Sequence, residues 1–149
     1  MAASPLEQLM PSPMTILLVD DNAVQAAIRQ AILRRSGYFV ITALNPARAL
    51  EQLRNGDFPA EVQLVVTDHI MPGMSGKEFV QQIRRFHPSL PILVISGMEE
   101  AVEEYSGLNV EFRVKPLPPE RLLECVHELV SDTPNAEGIH TASSLPPAR

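Results

Sequence analysis

The sequence is short of cysteine, of positive charge and of long apolar runs, and each shortage excludes something. Cys125 is the single cysteine, so no internal disulfide and no cysteine-built zinc site can form, which fits a reducing compartment. Its place in an apolar helical stripe marks it as core. Lysine and arginine together number 12 against 18 acidic residues, a formal net charge of −6. Direct nucleic-acid binding draws most of its affinity from cations that neutralise phosphates, so it is not expected here. The first residues, MAASPLEQLMPSPM, lack the positive start and continuous apolar stretch of a secretory signal. No later run approaches the ~18 apolar residues of a membrane helix. These absences predict a cytoplasmic protein with no membrane association.

What is present is enough apolar material for one core, 45% of 149 residues. Residues 1–13 and 131–149 stand apart by composition, the second rich in Pro, Ser and Thr, and both read as flexible tails. Residues 14–130 form the expected domain. Five apolar runs mark strands: TILLV ending at Val19, YFVIT from Tyr38, QLVVT ending at Thr67, PILVIS ending at Ser96 and NVEFRV ending at Val114. The first, third and fourth are continuously apolar, as buried strands of a parallel sheet are, and the fifth alternates, as at an edge. Between them lie helical spacings: Val24, Ala27, Ile28 and Ala31; Leu50 and Leu53 after Asn45-Pro46; Phe79, Ile83 and Phe86; and Leu122, Cys125, Val126 and Leu129. A shorter helix is expected from about Met98 to Tyr105, with Ala101, Val102 and Tyr105 inward and four glutamates outward. The order is (βα)₅, an α/β fold built on a parallel sheet.

In such a sheet the residues just past the strand ends share one crevice. Those residues are Asp20, Asp21 and Asn22 after the first strand, Asp68 after the third, Ser96 after the fourth and Lys115 after the fifth. Taken singly each has a bland reading as a turn, cap or surface residue. Taken together they have complementary roles. Gathered carboxylates repel unless a cation neutralises them, and an oxygen-only set suits Mg²⁺ or Mn²⁺. A carboxylate such as Asp68 is a competent nucleophile toward phosphorus. Lys115 and the Ser96 hydroxyl can donate to phosphoryl oxygens.

These residues are where the sequence resembles the response-regulator receiver domains of two-component signalling. The resemblance runs from about Met14 to Val130 and rests on VDDN at Val19–Asn22, TDHIMPGMSG at Thr67–Gly76, VISG at Val94–Gly97 and VKPL at Val114–Leu117. The spacings Asp21 to Asp68, Asp68 to Ser96 and Ser96 to Lys115 are typical of it. It implies a flavodoxin-like, doubly wound five-stranded parallel sheet of order 2-1-3-4-5. It further implies that Asp68 accepts a phosphoryl group from a phosphohistidine on a cognate histidine kinase or phosphotransfer protein. Asp21, Asp68 and the Ile70 backbone carbonyl would hold Mg²⁺ directly, with Asp20 acting through metal-bound water. Lys115 would contact the phosphoryl group, Ser96 would move toward it, and Phe112 would be an aromatic switch. Pro72 and Gly76 would shape the loop. A downstream protein would read the face made by the fourth helix, fifth strand and fifth helix. Beyond self-phosphorylation and slow loss of phosphate no enzyme activity is implied.

Ile70 and Met98 are apolar where polar side chains often assist hydrolysis, which predicts a long-lived aspartyl phosphate. His69 is expected to face solvent. Three other readings compete. The same domain could be the receiver of a hybrid histidine kinase; the absence of an output domain after Val130 disfavours direct transcriptional activation. A Mg²⁺-dependent phosphohydrolase of the haloacid-dehalogenase type would need a carboxylate two residues after Asp20, where Asn22 stands. A receiver-like binder that is never phosphorylated would not need the full acidic set.

Overall fold

A computed structural model describes residues 14–131. The expected tails lie outside those residues, except that Ser131, assigned to the second tail by composition, is the last residue of the final helix.

Five parallel strands, β1 (Thr15–Val19), β2 (Phe39–Ala43), β3 (Leu64–Asp68), β4 (Ile92–Ser96) and β5 (Glu111–Val114), form one sheet in the order β2-β1-β3-β4-β5. That is the flavodoxin-like order the resemblance implies. β1, β3 and β4 are buried at every position, and β5 is half-exposed at the edge. Successive side chains of a strand point to opposite faces. Ile16 and Leu18 therefore enter a core with Leu33 and Val126, while Leu17 and Val19 enter another with Phe79 and Ile83. A strand sandwiched between two cores has no polar face, which is why its sequence does not alternate.

The helices are α1 (Ala23–Arg35), α2 (Pro46–Asn55), α3 (Gly76–Phe86), a 3₁₀ helix (Glu99–Tyr105) and α4 (Pro119–Ser131). Their starts follow from local chemistry. The Asn22 and Asn45 side chains accept from the Gln25 and Arg48 amides at 2.9 and 3.0 Å. Ser75 and Glu78 form a reciprocal capping box at the start of α3.

Two expectations about helices need correction. The apolar stripe of Val24, Ala27, Ile28 and Ala31 marks α1 as a helix but is exposed along its length. The buried positions are Ala26, Arg29 and Leu33, with Ile32 partly covered. The phase of α1 follows a charged residue that must reach inward, described below. The segment after β4 is helical but 3₁₀, and Val102 points outward while Ala101 and Tyr105 are buried. Its start at Met98 has no side-chain cap hydrogen bond. Glu103 and Glu104 also sit at its carboxyl end, where negative charge opposes the helix dipole.

The two faces of α1 make opposite stability predictions. Leu33→Ala should lower the unfolding free energy by about 2–5 kcal/mol, whereas Ile28→Ala should change it by about 0.5 kcal/mol or less. Urea denaturation of the two variants checks this; an equal loss in both would mean that the face is misassigned.

Candidate functional site

The pairing register brings the strand ends together. Val19 lies opposite Thr67, Asp68 opposite Ile95, and Ser96 opposite Val114. Asp20, Asp68, Ser96 and Lys115 therefore share the carboxyl edge of the sheet, as expected from sequence. Asp68 closes β3 itself rather than following it.

Asp20 is fully buried. Its Oδ1 accepts from the Asn22 amide at 2.9 Å, and its Oδ2 accepts from Gln25 Nε2 at 2.6 Å and Arg29 Nη1 at 3.2 Å. Asp21, the next residue, is exposed at the rim. Asp68 is buried, with Lys115 Nζ at 3.0 Å from Oδ1 and 3.4 Å from Oδ2. Arg29 Nη1 lies 3.6 Å from the same Oδ1. Even so, Oδ1 accepts no well-directed hydrogen bond. Burial pushes the Asp68 carboxyl above its ordinary value and Asp20 adds to this, against the opposing pull of Lys115 and, more weakly, Arg29.

Arg29 and Gln25 are site residues that periodicity alone does not find. The available signal was an arginine on the inward stripe of a helix, between Ala26 and Leu33. A guanidinium in that position must have a buried partner.

Ser96 is buried and its hydroxyl is engaged locally. It accepts from the Met98 amide at 2.9 Å and donates to the Met98 carbonyl at 3.2 Å. Phe112 is half-buried on β5, its ring centroid 5.7 Å from that of Tyr105. The Ile70 side chain is 62% exposed.

His69 is not a solvent-facing residue. It is buried, its Nδ1 hydrogen-bonds the Tyr105 hydroxyl at 2.6 Å, and the rings meet edge-on. Glu104 Oε2 lies 4.0 Å from Nε2. The residue after Asp68 continues the strand's alternation onto the α3 side, where Tyr105 waits. Burial, aided by the charges of Glu104 and Asp68, pushes the Tyr105 phenol well above its ordinary value. The same junction explains Gly76. A Cβ there would stand 2.6 Å from both the Asp68 carbonyl oxygen and the Tyr105 hydroxyl, and the Gly76 amide donates to the His69 carbonyl at 2.7 Å. Glycine is needed for this close approach.

The donor set suits Mg²⁺. Among the described residues no three His, Cys, Asp or Glu side chains converge on one point. Mg²⁺ asks for less: it keeps several waters and takes one or two carboxylates, with a substrate phosphate completing the shell. A buried carboxylate oxygen without a well-directed hydrogen bond, Asp68 Oδ1, is a fitting ligand.

Comparison with known proteins agrees with the geometry. A family model described as the response regulator receiver domain matches residues 16–127. The transcriptional regulatory protein ZraR of Klebsiella oxytoca is 36% identical over 121 residues, which are 79% of this chain and 26% of that protein. The chain thus spans about a quarter of the length of that relative. A CheY-like receiver domain from Methanospirillum hungatei superposes with a TM-score of 0.74 at 24% identity, covering 82% of this chain and 97% of its own. The response regulator TrrA of Thermotoga maritima, in complex with Mg²⁺-BeF, superposes with a TM-score of 0.68 at 27% identity, covering 78% and 98%.

Because the folded protein raises the Asp68 pKa, stability from this group is complete below its unfolded value and lost as pH rises through the folded one. Asp68→Asn should therefore melt a few degrees above the parent at neutral pH in chelator. The gain should vanish below about pH 4. Thermal unfolding across pH checks it; a neutral-pH melting point below the parent's would contradict the sign.

Proposed function

The chain belongs to the response regulator receiver domains of two-component signalling, and on that premise we propose that its Asp68 accepts a phosphoryl group with the help of Mg²⁺. The observation that carries this reading is the Asp68 carboxylate itself, buried at the crevice between Lys115 and the acidic residues of the β1 end. Receiver domains work with histidine kinases or phosphotransfer proteins, and the donor proposed here is a phosphohistidine on such a partner. One Asp68 oxygen attacks phosphorus, the bond to the histidine nitrogen breaks, and an aspartyl phosphate results. Asp21, Asp68 and the Ile70 carbonyl would hold Mg²⁺, with Asp20 acting through water, and the ion would supply charge neutralisation for the transferring group; Mn²⁺ would serve as well. The Mg²⁺ carried by a fold neighbour supports this part.

The protein groups have separate tasks. Lys115 already touches both Asp68 oxygens and can follow the negative charge onto the phosphoryl group. Ser96 can reach that group after giving up Met98, and Phe112 can turn inward beside Tyr105. The exposed Val24 and Ile28 of α1, bordering a groove lined in part by Arg29 and Lys115, suit an apolar helix of the phosphodonor. The output surface is the 3₁₀ helix, β5 and α4, where Met98, Val102 and Val114 are exposed among glutamates; a basic partner would complement it. Transfer and slow hydrolysis at Asp68 are the chemistry proposed for the receiver domain.

The receiver unit is read as residues 14–130, one residue short of the end of α4. No helix among the described residues is long and apolar enough to cross a membrane, and a cytoplasmic location follows from the signalling role proposed. The receiver of a hybrid histidine kinase is the alternative setting. A phosphohydrolase with Asp20 as nucleophile is opposed by geometry, since both Asp20 oxygens are engaged and the residue is fully buried.

Incubation with Mg²⁺ and acetyl phosphate should raise the intact mass by one phosphoryl group, and Asp68→Ala should abolish the gain. Lys115→Ala should keep metal binding, while Asp21→Ala should lose it. No gain in the parent at any Mg²⁺ concentration would sink the proposal. Ile70 and Met98 offer no polar side chain to position a hydrolytic water, so ³²P should leave the protein slowly and Ile70→Asn should speed its release. A parent half-life of seconds would refute that part.

A further inference from the structure

We infer that Arg29 is a resident cation that shares the Asp20–Asp68 carboxylate pair with the divalent metal and so sets how weakly the metal is held. The inference rests on the reading of Asp68 and its neighbours as the metal site and adds to it a residue that the family motifs do not contain.

Arg29 stands on the buried stripe of α1, one turn from Ala26 and one from Leu33, where helix packing calls for an apolar residue. It is 9% exposed. A guanidinium cannot be buried this far unless its charge is met, and what meets it is the functional pair: Nη1 is 3.2 Å from Asp20 Oδ2 and 3.6 Å from Asp68 Oδ1. A single nitrogen therefore bridges the two strand ends. Lys115 flanks Asp68 from the other side at 3.0 Å. Two buried carboxylates are thus matched by two fixed protein cations.

A divalent ion approaching Asp68 Oδ1 comes within a few ångströms of this guanidinium. At that separation like charges oppose each other strongly even at intermediate dielectric. Two adjustments relieve the repulsion. The metal can draw on Asp21 at the rim, leaving Asp20 to Arg29. Alternatively the guanidinium can move outward along the groove it lines with Ile28, Ile32, Lys115 and Pro116. Either way part of the metal's binding energy is spent against Arg29. Arg29 is accordingly a positioning residue: it holds Asp20 and Asp68 in register without metal and weakens their grip on it.

Arg29→Met keeps the length and apolar stem of the side chain and removes its charge. Calorimetric titration with Mg²⁺ should then show affinity at least about tenfold tighter than in the parent. Arg29→Gln should behave likewise, and Arg29→Lys should stay near the parent. A purely structural role predicts the reverse, with weaker binding in all three. If Arg29→Met unfolds in chelator, the apparent affinity read from its refolding with Mg²⁺ is corrected for the folded fraction without metal before comparison with the parent. Tighter binding that tracks loss of charge supports the inference. Equal or weaker affinity in Arg29→Met and Arg29→Gln overturns it, even while both still take a phosphoryl group from acetyl phosphate. Absence of Mg²⁺ binding in every variant and the parent removes the inference together with the metal-site reading beneath it.

Discussion

Two carboxylates buried side by side at the ends of adjacent strands are the constraint around which the molecule is arranged. The parallel pairing of β1 with β3 puts Asp20 and Asp68 at the same level of the sheet, beneath cores that exclude water. Burying either charge alone would cost several kcal/mol. The surrounding groups answer that cost one by one. The start of α1 turns an amide and Gln25 toward Asp20, its second turn sends Arg29 inward, and Lys115 reaches past β4 from the edge strand to Asp68. Burial still outweighs these partners at Asp68, whose carboxyl remains above its ordinary pKa. Asp68, where the chemistry is proposed, keeps one oxygen without a well-directed hydrogen bond, whereas both Asp20 oxygens are engaged.

That arrangement explains which features were legible in the sequence. Continuous apolar runs located the strands because a doubly covered strand admits no polar face. The strand ends located Asp20, Asp68, Ser96 and Lys115 because parallel connectivity fixes which ends converge. The facing of α1 was not legible from hydrophobic periodicity, which counts only apolar residues, whereas the inward stripe is organised around Arg29. Val24 and Ile28 then remain outside, apolar without being core. His69 was misjudged for a related reason. Loop position suggests solvent, but β3 keeps its alternation one residue beyond Asp68 and carries the imidazole to Tyr105. Gly76, read as a loop-shaping residue, proved to be one by close contact rather than by an unusual backbone angle.

The same contacts indicate where a two-state element can lie. His69 is covalently next to Asp68, its ring is held by the Tyr105 hydroxyl, and the Tyr105 ring rests on Phe112. Gly76 packs against this junction without room for one additional methyl, so the loop after Asp68 and the end of the 3₁₀ helix are in direct contact. The 3₁₀ helix is short, carries four glutamates among its seven residues and is closed by i→i+3 bonds such as Ser106 to Glu103. In the proposed switch Ser96 supplies the energetic asymmetry. Its one hydroxyl proton is given to the carbonyl of Met98, the residue that begins this helix, and cannot also be given to a phosphoryl group on Asp68, although the oxygen can keep accepting from the Met98 amide. A ligand biases an equilibrium only through contacts it makes in one state and not the other. The exchange proposed for Ser96 would be such a contact, and its first consequence would fall on the start of the 3₁₀ helix, at the surface proposed for output.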